Sequence, residues 1–198
     1  MFSREPAEFV SQILQHTQIL LDTSSYLVLK DIGALTTASR TWKLSTIQEV
    51  HREIGWISVP VLIVPTESPG DTEQPVDQLL LNTAAATHLP LLSEDRRLLE
   101  AAETRDILCF DTLAAIELLH YLGNQNPSLI QPPVWDRLRR ARSWWNSSSS
   151  STEPAQPPHA ATYAQWKQNI LNRNRYRSDR LAWAEQLATY LTGLATKV

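Results

Sequence analysis

Only one cysteine, Cys109, occurs in the 198 residues, which excludes an internal disulfide framework and a zinc site built from several thiolates. Its neighbours Ile107, Leu108 and Phe110 give it the setting of a buried strand thiol. Glycine is also scarce. The five present form no glycine-rich phosphate loop, which argues against a nucleoside triphosphate cofactor. The histidines, His16, His51, His88, His120 and His159, are scattered without the i, i+4 pairing of a metal-binding helix, and read as structural or surface residues. Long apolar runs are missing too. None approaches the roughly 20 residues that cross a bilayer, and residues 1–6 lack the hydrophobic stretch of a secretory leader. The expectation is a cytoplasmic protein with no membrane partner.

What is present has the composition of a globular protein, 42% hydrophobic and 20% charged. A chain of this length accommodates one domain of about 100–150 residues plus an appendage. The net charge of −3 conceals a split. Residues 1–130 carry 8 Lys or Arg against 17 Asp or Glu, whereas residues 131–198 carry 10 against 4. The basic part suits a polyanion, or packs on the acidic body.

Along the chain, helical and strand-like patterns alternate. Residues 6–16 place Phe9, Val10, Ile13 and Leu14 at helical spacing. Strands are expected at residues 19–21, 59–64, 89–92 and 107–110, the second a β-branched run bounded by Pro65. Helices are expected from Ser45 to Ile54, from Pro75 onward, at 96–104 and at 112–122, the last ended by Gly123. Such alternation predicts an α/β fold with right-handed crossovers and a mostly parallel sheet covered on both faces. Beyond it, residues 124–145 read as a basic, Trp- and Arg-rich helical segment, 146–160 as a Ser- and Pro-rich linker, and 161–198 as a helical tail with an apolar stripe. Residues 1–17 form the leading helix and 18–123 the principal domain.

Four acids stand out within that domain. Asp22 and Asp95 each close an apolar run, where a strand of a parallel sheet would emerge at its ligand-binding carboxyl end. Glu49 and Asp77 lie on helix-like stretches beside them. Crowded carboxylates repel one another, and a hard cation relieves that repulsion while gaining oxygen ligands.

The segments around these acids resemble the PIN-domain family of metal-dependent nucleases, which includes the ribonuclease toxins of bacterial toxin-antitoxin pairs. Asp22, Thr23 and Ser24 are similar to the family's opening aspartate followed by hydroxyls, and Glu49 resembles its second acid. Asp77 begins a helix of aliphatic and small residues like that of the third aspartate. Ser93, Glu94 and Asp95 resemble the strand-end segment in which a hydroxyl, any residue and the fourth aspartate precede another helix. The resemblance covers roughly residues 18–123. It implies a three-layer α/β/α sandwich, a catalytic set of Asp22, Glu49, Asp77 and Asp95, and Mg²⁺ or Mn²⁺ held by Asp22, Asp77 and Asp95. Glu49 would complete the site or position the attacking water, and Thr23, Ser24 and Ser93 would fix ligand oxygens or, equally, serve as turn and helix caps. The stretch between Glu49 and Asp77 is shorter than the helical insertion of many such toxins, which leaves a homodimer open.

Asp111 follows the last strand; it reads as a helix cap, with an accessory role at the sheet edge as the alternative. Glu94 should point away from Asp95 by strand alternation. Trp135, Trp144 and Trp145, interleaved with Arg137, Arg139, Arg140 and Arg142, resemble a surface for single-stranded RNA, or else a helix packed on the body. Arg173, Arg175, Arg177 and Arg180 carry the same two readings, and would equally clasp an antitoxin or other protein. Two functions follow as expectations: a metal-dependent ribonuclease, or a catalytically silent interaction module of the same fold.

Overall fold

A computed structural model describes residues 4–66, 74–126, 158–173 and 176–196. Five strands, β1 (Gln18–Leu21), β2 (Lys43–Thr46), β3 (Leu62–Ile63), β4 (Leu91–Leu92) and β5 (Cys109–Phe110), form one sheet in the order β3-β2-β1-β4-β5. Every pairing is parallel. The described helices are α1 (Pro6–Ile13), α2 (Thr23–Asp31), α3 (Leu35–Thr41), α4 (Gln48–Ile54), α5 (Val76–Thr87), α6 (Arg96–Thr104), α7 (Thr112–Gln125), α8 (Pro158–Leu171) and α9 (Ser178–Ala195).

Successive strand residues face opposite sides, and the apolar ones divide accordingly into two cores. Ile19, Leu21, Leu44, Leu92 and Phe110 join one core with residues of α1, α2, α3, α7, α8 and α9. Leu20, Leu91 and Cys109 join the other with residues of α4, α5 and α6. A parallel sheet buried on both faces is what near-continuous apolar strands require. Burial also raises the Cys109 thiol pKa to about 12, which keeps it an unreactive packing group.

The tail helices belong to the first core. Trp166, Ile170, Leu187 and Leu191 are buried there, and both α8 and α9 pack on α7. Phe9 packs between Phe110, tilted at 59° with centroids 5.8 Å apart, and Trp183, edge-on at 5.3 Å. The indole N–H of Trp183 donates to the Arg4 carbonyl at 3.0 Å. The basic residues there also meet the acidic body: Arg173 pairs with Asp31 and Arg180 with Asp111. Residues Trp135, Arg137, Arg139, Arg140, Arg142, Trp144, Trp145 and Arg175, together with most of the expected linker, lie outside the described residues.

Two expectations about elements are corrected. Ser45 opens no helix: it lies in β2, and the helix begins at Gln48. Lys43, Ser45 and Thr46 hide the strand because they are polar, yet Ser45 and Thr46 are fully buried and satisfied. Ser45 Oγ accepts from the Gln18 side chain at 2.8 Å, and Thr46 Oγ1 donates to the Leu21 carbonyl at 2.8 Å. The run 59–64 narrows to a two-residue edge strand with Leu62 and Ile63 exposed. β-Branched residues favour any pleated surface and do not distinguish an edge from a centre.

Candidate functional site at the strand carboxyl ends

The strand order places β1 at the centre. From it the chain moves outward to β2 and β3, then returns to the other side for β4 and β5. The connections leaving β1 and β4 therefore diverge, opening a crevice between those strands at their carboxyl ends, where open parallel sheets bind ligands. Asp22 follows β1 and Asp95 follows β4.

Both carboxylates are oriented by the helices they start. Asp22 caps α2, its Oδ1 accepting from the Ser25 N–H at 2.7 Å. Asp95 caps α6, its Oδ1 accepting from Arg97 and Leu98 N–H at 2.7 and 3.3 Å. Each satisfies amides that the helix start leaves without partners. Between them runs a hydroxyl bridge. Ser93 Oγ donates to Asp22 Oδ2 at 2.6 Å and accepts from the Asp95 N–H at 2.9 Å. Ser24 Oγ donates to the same Asp22 oxygen at 2.7 Å and accepts from the Glu94 N–H at 3.1 Å. Four hydrogen bonds thus tie the two loops at one buried carboxylate.

Asp77, near the start of α5, belongs to the same electrostatic neighbourhood. Partial shielding from water, and then the negative charges of Asp95, Asp22 and Glu53, hold its carboxyl above the usual carboxylate range. Glu53 was not singled out from sequence. It sits one helical turn beyond Glu49 on α4, the i, i+4 relation that puts two residues on one face, and its Oε2 accepts from Thr23 Oγ1 at 2.7 Å. That spacing was the available signal. Glu49 is not among the charges that act on Asp77. Its Oε2 is buried and has no hydrogen-bond partner among the described residues. An acceptor shielded in that way is costly unless something outside the chain meets it.

The donor set is made of carboxylate oxygens, which suits Mg²⁺ or Mn²⁺ over softer ions. Asp22 Oδ2 accepts from two hydroxyls and its Oδ1 from the Ser25 N–H, so a cation here would share Asp22 with these donors and would draw its freer oxygens from Asp95 and Asp77. Among the described residues, no group of three or more His, Cys, Asp or Glu is already arranged as a cation site.

Glu94 and Asp111 form a second acidic pair, closed off by the tail. Glu94 accepts from the Thr112 N–H at 2.8 Å and from the Tyr176 hydroxyl at 2.6 Å. Asp111 caps α7 through Ala114 N–H at 2.8 Å, and Arg180 Nε donates to its other oxygen at 2.7 Å. The Arg180 guanidinium already neutralises Asp111, which sets it apart from the Asp22–Asp95 pair. Tyr176 and Arg180, far along the chain, carried no sequence signal for this contact.

Burial and the neighbouring Asp111 charge raise the Glu94 carboxyl above its ordinary value. The folded state then holds a proton that the unfolded chain has released, so stability falls as pH rises between the ordinary and the raised value, and the penalty is complete above the latter. Glu94→Gln keeps an acceptor for Thr112 and removes the charge. Denaturant titrations of this variant should show it gaining on the wild type at about pH 8 and gaining nothing at about pH 4.

No protein-family model, curated protein or solved structure matches this chain. Among the described residues no helix is long and apolar enough to cross a membrane.

Proposed function

We propose that the chain is a PIN-like, metal-dependent ribonuclease acting at the β1–β4 crevice. What supports this reading is that Asp22 and Asp95 follow neighbouring strands and are joined through the Ser93 hydroxyl, with Asp77 near enough for its carboxyl to be raised by partial burial and then by their charges. Mg²⁺ or Mn²⁺ bound there would lower the pKa of a coordinated water and offset charge on the scissile phosphate. Asp22 contributes a carboxylate locked by Ser24 and Ser93, so little reorganisation accompanies binding. Asp95 presents its second oxygen from a capped helix start. Asp77 is the adjustable member: its carboxyl is held above the usual range, and a cation would favour its charged form. Glu53, whose charge reaches Asp77 and whose carboxylate accepts from Thr23, would be the acid of α4 that orients water, with Glu49 one turn before it.

The silent-scaffold reading draws on one observation, that the acids are not already gathered at ligating geometry. Thermal melts with and without Mn²⁺ separate the two. On the nuclease reading, saturation at a hundredfold excess over Kd adds about 2.7 kcal/mol, raising the Tm by roughly 5–10 °C for a chain of this size. Asp77→Asn should abolish most of that rise while leaving the metal-free Tm unchanged or higher, since it removes a repelled charge. A wild-type Tm indifferent to Mn²⁺ and Mg²⁺ would favour the scaffold.

A further inference from the structure

We infer that Trp56 and Lys30 form a base-stacking and phosphate-binding subsite for single-stranded nucleic acid beside the crevice. The inference rests on the nuclease reading for the identity of the strand. Trp56 is 78% exposed, whereas Trp42 and Trp166 are 4% and 3% exposed. Its position follows from the backbone. Gly55 ends α4 at φ 72°, a left-handed conformation that turns the chain away from the helix. The indole is thereby carried outward, with its large apolar surface left in water at a free-energy cost.

The segment after α4 runs alongside α2. Glu53 meets Thr23 at the start of α2, the Ser58 N–H donates to the Tyr26 hydroxyl at 3.0 Å one turn on, and Lys30 Nζ lies 6.0 Å from the Trp56 ring centroid near the far end. Lys30 is eight residues beyond Asp22, about 12 Å along the helix. A strand with a phosphate at the crevice thus has a cation and an exposed indole further along the same helix. Aromatic stacking next to a cation is the sequence-tolerant mode by which single strands are held. A polypeptide carboxylate could also pair with Lys30, so what favours a nucleic-acid strand is the position of the pair on α2, the helix that Asp22 caps.

The test uses the full chain and a fluorescein-labelled, mixed-sequence single-stranded oligoribonucleotide of about 12 nucleotides, within single-strand site sizes. Anisotropy titrations are run with Asp95→Asn as background, in Mn²⁺, so that binding is read without cutting. Trp56→Ala should weaken binding by about 5- to 150-fold, the range for loss of one stacked base, and Trp56→Phe should restore most of it. Lys30→Ala should flatten the dependence of log K on log salt by about 0.7, one phosphate's worth for a single strand. Equal affinity in wild type and Trp56→Ala would overturn the subsite even if the wild type cuts RNA. Trp56-dependent binding without any cleavage by the wild type would overturn the nuclease reading alone. Concentration-dependent self-association lost in Trp56→Ala, with no RNA bound, would overturn the subsite in favour of a protein interface.

Discussion

Replacing Asp95 by Asn should reduce Mn²⁺-dependent cleavage of single-stranded RNA by about 10²- to 10³-fold, the loss typical of removing one preorganised electrostatic group. Asn preserves the cap on α6, because its side-chain oxygen still accepts from the Arg97 and Leu98 amides. It removes the negative charge of the oxygen facing the crevice. Folding is retained, so an activity loss reports on the site. Asp22→Asn should behave similarly in activity and lose more stability, since an amide cannot accept equivalently from Ser24, Ser25 and Ser93 together. The measurement is initial rate on a labelled substrate, with melts of each variant alongside. Equal rates in wild type and both variants would identify a contaminating nuclease and end the proposal. The hydroxyl bridge between the two acids also makes their effects non-additive, so the double variant should cut no more slowly than the worse single one.

Arg180→Ala is expected to cost about 3–5 kcal/mol, because it leaves a buried carboxylate without its counter-ion. Asp111 is 2% exposed and Arg180 12%, so solvent cannot take the guanidinium's place. For a chain of this length such a loss lowers the Tm by roughly 6–20 °C. The informative control is Arg180→Met combined with Asp111→Asn. Asn still caps α7, and no unpaired charge remains at that position, so the pair should recover most of the lost stability. Denaturant titration distinguishes the outcomes. If Arg180→Ala were nearly neutral, the tail would not be anchored at the sheet edge as these contacts require. Glu94 would respond in the same experiment, since Arg180 and Tyr176 approach the acidic pair from adjoining positions on the tail.

The acids that define the crevice could be read from sequence because their signal is local. Asp22 and Asp95 end apolar runs and begin helices, so both strand end and cap are written in neighbouring residues. Glu49 and Glu53 occupy one helical face and look alike in sequence, and only tertiary contacts distinguish them: Thr23 and Asp77 lie near Glu53, while Glu49 Oε2 is buried without a partner among the described residues. β2 escaped notice because its buried Ser45 and Thr46 are polar and are satisfied by Gln18 and the Leu21 carbonyl, partners distant in sequence. α2 and α3 are short helices rich in threonine and serine, whose weak propensity gives little periodic signal before packing stabilises it.

Alternation of apolar runs with helical periods determined that the protein is a mixed α/β domain with a parallel sheet, since burial on both faces imposes that pattern on the chain itself. Tertiary structure alone decided which acids share a field, that Asp111 is spent on Arg180, and that the tail completes a core around Phe9 and Phe110. Those outcomes depend on contacts between residues tens to hundreds of positions apart, where distance, desolvation and charge act together and no local pattern records the partner.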